Sequence, residues 1–408
     1  MLSVTEAKEL ILARILPVPS TNIPLQEAAG RILAEPIIAE IDLPSFDNSS
    51  VDGFAVCAAD LISTSNEKPI TLSVVGDIPA GSATDTALNH GKCLRIMTGA
   101  PMPTGADAVV MVEDTDFNFR DAGVAPPKHV EIYRSVSNGE NIRYKGADVR
   151  AGQTLMTISH KLRAQDIGLL ALLGNSKLST YRKPRVAILS TGDELASPNE
   201  PISPGKIRDA NSFSLSTLAS EQGADVIHLG IARDDPTSIK KLLEIAHDEK
   251  ADLIISSAGV SVGAFDYVKS VVESEGSLDF WKVNMRPGKP LAFGQYRGIP
   301  FFGLPGNPVS AFIGFLVFII PALEKLSGLQ PNHRPITKVH LGEDIISDGR
   351  ESYLRAVVSR QGSQLVGRLT GHQASSNLLS LVHANALLII PSGVKSLPLG
   401  EEVDAWLF

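Results

Sequence analysis

Several loops of this 408-residue chain carry residue types that handle anions or cations. The segment GLPGNPVSAF, residues 303–312, sets Gly303, Pro305, Gly306 and Asn307 ahead of an apolar helical run. Asn is a good helix N-cap, and Pro308 suits the first helical position. A helix start after a Gly-rich turn offers unpaired N–H groups and the positive dipole end to an oxyanion. The same residues also suit a plain strand-to-helix turn. The loop lacks the GK[ST] ending of a P-loop, and GxGxxG occurs nowhere in the chain.

Acidic and basic loops accompany it. STGDEL, residues 190–195, follows an apolar run and places Asp193 and Glu194 where a strand ends. Downstream, KIRDAN supplies Arg208 and Asp209, and ARDDP supplies Arg233, Asp234 and Asp235; Asp235 before Pro236 would equally start a helix. SSAGVSVGAFDY, residues 256–267, is rich in small residues suited to backbone contact with an anion, among them Ser257, Gly259 and Gly263, and carries Asp266. WKVNMRPGKP, residues 281–290, puts Lys282, Arg286 and Lys289 around a Pro-Gly turn, which fits a site wall better than a solvated charge run. Further upstream, PSFDNSSVDGFAV holds Asp47 and Asp52, RIMTGAPMPTGADAVV holds Thr98, and NIRYKGADV holds Arg143, Lys145 and Asp148. Asp52-Gly53 also reads as a turn dipeptide.

Anion-ready loops beside carboxylates pose an electrostatic problem. Two like unit charges 4 Å apart repel by ~1 kcal/mol in water and ~4 kcal/mol at an effective dielectric of about 20. A cation must bridge them, and with oxygen donors and no paired His, Mg²⁺ is the natural choice. The combination predicts metal-assisted chemistry on a phosphate-bearing substrate. His160, His228 and His247 read as surface or helix residues, which disfavours a Ser/His/Asp hydrolase.

The elements that position these loops follow from periodicity. Ser3 and Glu6 have capping-box spacing ahead of an amphipathic helix. The first fifty residues read as helical and then extended, with a Pro-rich stretch from Leu43 to Phe54. Short β runs punctuated by Gly, Pro, Asn and Asp fill the next ninety or so residues. A helix ending at Gly174 follows. From Arg185 the pattern becomes βαβ: PRVAILSTGDE, ADVIHLGIARDD, ADLIISSAGVSVG and IPFFGLPGNPVS are apolar runs ending in polar loops, with helical segments between them. That predicts a doubly wound parallel sheet with the loops at its carboxyl edge. Past Pro331 five short strands predict a small β-barrel. The expected domains are an N-terminal helical and extended domain (1–50 with 140–178), an inserted β-rich domain (51–139), an α/β domain (179–328) and a C-terminal barrel (329–408).

Composition narrows the function classes. With 43% hydrophobic and 20% charged residues the chain is an ordinary globular multidomain protein. A net charge of −8 argues against a nucleic-acid-coating protein. Cys57 and Cys93 are the only cysteines and form no CxxC, which excludes a zinc ribbon or disulfide framework and suits a reducing cytoplasm. The uncharged window between Arg297 and Glu324 is broken by prolines in its first half. The roughly 12–15 apolar helical residues left fall short of the ~20 a membrane span needs, so a buried core helix is expected.

Taken together, PSFDNSSVDGFAV, RIMTGAPMPTGADAVVMVED, GENIRYKGADV, STGDEL, KIRDAN, SSAGVSVGAFDY, MRPGKPLAFG, GLPGNPVSA and GHQAS, in that order from residue 44 to 375, resemble the molybdopterin molybdenumtransferase family of bacterial MoeA and the gephyrin E domain. The resemblance implies a homodimer of four-domain subunits whose α/β domain is Mog-like. It implies insertion of molybdate into adenylylated molybdopterin with Mg²⁺-dependent release of AMP. Glu194, Asp234 and Asp266 match acidic functional positions, with Asp193 their neighbour and Glu194 and Asp234 the implied metal ligands. Lys282 and Arg286 match a basic wall, and Ser375 in GHQAS a site serine. Asp52, Thr98, Arg143 and Asp148 match a second cluster that in the family faces the partner subunit's site. A molybdopterin adenylyltransferase and molybdoenzyme acceptors are the implied partners. Ala258 stands where the family usually has Gly, and Arg286 where some members have Lys, a planar fork in place of a point charge. Two alternatives remain: the adenylyltransferase, whose single domain resembles residues 180–326, and a gephyrin-like scaffold. The extra domains and the retained charged residues favour the insertase.

Overall fold

Alternate residues of Arg185–Thr191 face opposite cores: Val186 and Ile188 pack on one side, Ala187 and Leu189 on the other. That period of two, with apolar side chains on both faces, makes this a central strand covered from both sides. A computed structural model of the chain describes residues 1–117, 123–258, 267–331 and 334–408. They fall into two compact units, one of residues 1–35, 158–167 and 176–408, the other of 36–157 and 168–175.

In the larger unit, six strands run Asp225–Ala232, Arg185–Thr191, Leu253–Ser257, Ile299–Leu304, Pro290–Tyr296, Gly276–Lys282 across one sheet. The first four are parallel, as the βαβ pattern predicts. The last two are antiparallel additions, so the sheet is mixed rather than purely parallel. Helices Pro236–Asp248 and Tyr267–Glu275 cover one face. Helix Asn211–Glu221, the N-terminal helix Val4–Arg14 and the helical run Pro308–Leu326 cover the other.

Val4–Arg14 begins with both capping-box bonds, the Glu6 amide to Ser3 Oγ at 3.2 Å and the Ser3 amide to Glu6 Oε2 at 2.8 Å. Helix stops at Arg14, earlier than the helical reading of the first fifty residues allows. Ser20–Pro24 is a strand paired with Lys177–Tyr181. Pro308–Leu326 runs 19 residues, longer than expected, because Pro308 and Pro321 need no interrupted turn and Phe315–Ile319 widens into a π-helical stretch. By length and composition it could cross a membrane, but 78% of it is buried inside the protein against the sheet.

Residues 337–407 close a barrel of five strands: Glu351–Gln361 pairs with Gln364–Leu369, then come Thr337–Leu341, Glu402–Leu407 and Ala386–Ile390, which returns to Glu351–Gln361. Each contributes apolar residues to one interior, including Val339, Leu354, Ala356, Leu388 and Ala405.

The smaller unit holds a five-stranded sheet ordered Ala108–Met111, Gly53–Val56, Lys92–Ile96, Ile70–Ile78, His129–Ile132. Gly53 opens a buried central strand rather than serving a simple turn. A Cβ there would lie 1.9 Å from the Val110 carbonyl oxygen, so only glycine permits this approach.

Candidate active site

The strands ending at Thr191, Ser257 and Leu304 release their loops at one sheet edge, where α/β folds bind ligands. There a cleft of ≈ 760 Å³ opens, its wall including Glu194, Ser257, Arg286, Lys289, Asn307 and Ser375. Pro305, Gly306, Asn211 and Arg350 also line it.

Glu194 is exposed on the acidic side. Its carboxylate folds over Gly192, where a Cβ would stand 2.6 Å from Oε2, and Gly192 takes φ +146°, a conformation side chains rarely adopt. Behind it, Asp193 and Asp234 exchange contacts: the Asp193 amide donates to Asp234 Oδ2 at 3.2 Å and the Asp234 amide to Asp193 Oδ1 at 3.4 Å. Neither of these two aspartates is part of the cleft wall. Lys206 Nζ bonds the Asp193 carbonyl rather than a carboxylate. Among the described residues no Lys or Arg forms an ion pair with Asp193, Glu194 or Asp234. Unpaired oxygen donors of this kind suit a hard divalent ion, and Mg²⁺ is commonly held by one or two carboxylates together with substrate phosphates.

The floor is built by Asn211, at the first turn of its helix. Its amide donates to Ser257 Oγ at 2.7 Å and to the Gly306 carbonyl at 2.8 Å. Asp209, the buried acid of KIRDAN, accepts from the Ser212 amide in the first turn of the same helix at 3.1 Å. Asn307 occupies the N-cap of the long helix but makes no side-chain cap bond. The Val309 amide donates instead to the Ser375 carbonyl at 3.1 Å, so part of the expected anion-binding helix start is already taken by the GHQAS loop. Gly303 lies inside the strand Ile299–Leu304, buried between neighbours, and does not reach the cleft.

The basic wall depends on the barrel. Met285–Arg286 pairs in parallel with Glu351–Ser352, which fixes Arg286 over the cleft. Asp348 Oδ2 accepts from Arg350 Nη2 at 2.5 Å and lies 3.9 Å from Arg286 Nη1. The Arg350 guanidinium, first among several causes, holds the Asp348 carboxyl below its ordinary range. Arg350 also donates to the Met285 carbonyl at 3.2 Å. Arg355, fully buried, holds the loop that carries Ser375, donating to Ser380 Oγ and the Ala374 carbonyl, each at 3.0 Å. Burial, with Arg286 nearby as the lesser cause, lowers its guanidinium to about 10. Lys289 joins this wall. Lys282 ends the edge strand Gly276–Lys282 opposite Pro290, a residue of the cleft wall, but is not itself part of that wall.

In the smaller unit, Asp52 Oδ1 accepts from both the Thr98 amide and hydroxyl at 2.7 Å. Arg143 and Asp148 form an exposed ion pair at 2.5 Å. Gly259, Gly263 and Asp266 lie outside the described residues. So does Ser261, which the sequence reading passes over although Gly259 to Gly263 has G-x-S-x-G spacing. Among the described residues no histidine belongs to the cleft wall, so a Ser/His pair has no support there. Sequence reasoning also missed Arg350 and the role of Asn211; KIRDAN pointed to the second, and nothing local pointed to the first.

The sequence and fold have counterparts among known proteins. Residues 2–174 match the family model of the MoeA N-terminal region (domain I and II), residues 187–325 that of a probable molybdopterin binding domain, and residues 338–408 that of the MoeA C-terminal region (domain IV). The chain order is therefore a MoeA N-terminal region, an α/β domain matching the probable molybdopterin binding model, and a MoeA C-terminal region. A Nostoc protein named molybdopterin molybdenumtransferase is 38% identical, covering 93% of this chain and 86% of its own. A Haemophilus influenzae protein of the same name is 36% identical, covering 99% and 98%. The crystal structure of the MoeA protein of Pyrococcus horikoshii superposes with a TM-score of 0.84 at 32% identity, over 100% of this chain and 99% of that one. The chain belongs to the molybdopterin molybdenumtransferase family, a family of transferases in molybdenum cofactor biosynthesis.

Proposed function

We propose that this chain inserts molybdate into adenylylated molybdopterin, with Mg²⁺-dependent release of AMP, giving molybdenum cofactor. The observation that carries this reading is one cleft with Glu194 in its wall together with three cations, Arg286, Lys289 and Arg350. A pyrophosphate-bearing substrate and an oxyanion co-substrate need cationic contacts, and the carboxylate needs a metal to approach the phosphates.

Glu194, with Asp234 and Asp193 behind it, would hold Mg²⁺, which when bound offsets phosphate charge and polarises the phosphoanhydride. Arg286 and Arg350, oriented by Asp348, bind the doubly charged oxyanion. Lys289 adds a point charge where negative charge grows as the anhydride breaks and AMP leaves. Ser257 and the Gly306 backbone, fixed by Asn211, orient the substrate. Asp266, Gly259 and Gly263 follow Ser257 in the sequence and enter this reading as further substrate contacts. Lys282 keeps a place in it only as a contact to substrate extending beyond the cleft.

The chain acts as a cytoplasmic homodimer in this reading, with Asp52, Thr98, Arg143 and Asp148 serving the site of the second copy. An adenylyltransferase supplies its substrate and molybdoenzymes take its product. The test is incubation of purified protein with adenylylated molybdopterin, Mg²⁺ and molybdate, following AMP. Molybdate-stimulated release without ATP is expected and is lost in Glu194→Gln with the oligomeric state unchanged. A requirement for ATP with bare molybdopterin would identify an adenylyltransferase instead, and no release with any oxyanion would leave the scaffold reading.

A further inference from the structure

In the smaller, β-rich unit, three side chains of different donor chemistry converge. Cys57 follows the strand Gly53–Val56 and opens the 3-10 turn Ala58–Leu61, with Asp60 three residues on. Residues i and i+3 of such a turn eclipse one another, which sets the thiol and the carboxylate on one side. His90 comes from a separate turn, closed by the Lys92 amide donating to the Asn89 carbonyl at 3.3 Å. Gly91 at φ +75° allows that turn its shape. Asp60 joins the two, with Oδ1 2.7 Å from His90 Nδ1 and Oδ2 accepting from the Gly91 amide at 2.9 Å. One ligand atom from each of Cys57, Asp60 and His90 lies within 4.8 Å of the others, the only such trio among the described residues.

We propose that Cys57, Asp60 and His90 form a binding site for a divalent transition metal, for which Zn²⁺ is the best match. Thiolate, imidazole and carboxylate are three of the donors Zn²⁺ takes, and three protein ligands leave one tetrahedral position for water. The thiolate distinguishes this set from the all-oxygen donors around Glu194, which favour Mg²⁺. Tetrahedral bonds of about 2.0–2.3 Å separate neighbouring donors by roughly 3.3–3.6 Å. The Asp60–His90 contact must therefore open by well under 1 Å, which the His90 side chain, 75% exposed, can supply by rotating. The incoming ion replaces the Cys57 thiol proton, which passes to solvent. Bound metal would clip the exit of Gly53–Val56 to the entry of Lys92–Ile96, its neighbour in the sheet. Cys93 offers no rival thiolate, since it is fully buried and burial pushes its thiol up to about 12.

Titration of the purified full chain with Co²⁺ tests the site. One equivalent should give tetrahedral visible bands and a near-ultraviolet thiolate-to-cobalt charge-transfer band, bleached by Zn²⁺. Oxygen-only binding at Glu194 gives no thiolate band, so the result stands apart from any reading of the cleft. Cys57→Ser should abolish the charge-transfer band, His90→Ala should weaken Co²⁺ by at least about tenfold, and Zn²⁺ should raise Tm in the parent but in neither variant. Absence of the thiolate band, or its persistence in Cys57→Ser, overturns the proposal. If Cys57→Ser does not fold, unchanged affinity in the exposed variant His90→Ala overturns it equally.

Discussion

Asn211 and Ser257 are joined across two strand-end loops: the Asn211 amide donates to the Ser257 hydroxyl at 2.7 Å while its second hydrogen reaches the Gly306 carbonyl at 2.8 Å. Asn211 is 8% exposed and Ser257 1%, so water cannot readily replace either bond. One side chain thereby sets the spacing between a helix start and two loops of the cleft.

Replacing Asn211 by Ala removes both donors and leaves a hydroxyl and a carbonyl without them. A loss of about 2 kcal/mol is expected in urea unfolding. Asn211→Asp, which keeps the shape without the amide, should be destabilised at least as much. If Asn211→Asp unfolds with the parent, the two bonds do not hold the floor together.

Gly192→Ala concerns the acidic side alone. Its Cβ would collide with the Glu194 carboxylate and would have to adopt φ +146°. The variant should lose about 1–2 kcal/mol, and its AMP release should fall toward that of Glu194→Gln. Full activity would mean that the Glu194 carboxylate need not lie over Gly192.

Glu275 contributes to the response to acid. Lys240 Nζ lies 2.6 Å from its Oε1, and Arg297 Nε donates to Oε2 at 2.5 Å. These contacts, Lys240 first, lower its carboxyl from 4.5 to about 2. The folded state thus holds the proton less tightly, so the stabilisation is complete above pH 4.5 and drains away as pH falls toward about 2. Glu275→Gln should be less stable near neutrality and show a flatter fall of Tm through that acid window. A slope equal to the parent's would assign the acid response to other carboxylates.

The parts legible in the sequence were those carried by short-range pattern. Arg185–Thr191 and Leu253–Ser257 announce themselves because apolar residues on both faces leave no other reading, and the barrel strand Thr337–Leu341 alternates locally. Glu194 was legible because it follows such a strand. Arg350 was not: it reaches the cleft because Met285–Arg286 pairs with Glu351–Ser352, a non-local register that no neighbouring residue signals. Lys282 and Gly303 are marked by position in a motif, and the structure sets Lys282 opposite the wall residue Pro290 and buries Gly303 inside a strand. Ala258 was singled out as a departure from glycine, and its φ of +72° is a conformation that glycine adopts more readily.

The Val309–Ser375 bond carries a consequence for modularity. The helix Pro308–Leu326, whose start lines the cleft, has its first available N–H answered by a loop of the terminal barrel, and the strand bearing Arg286 is completed by one of the barrel's strands. A chain cut before residue 337 would keep the six-stranded sheet but expose a helix terminus and free the arginine wall. The α/β domain here has ceded its independence to its neighbour, so it cannot be transplanted as a finished catalytic part.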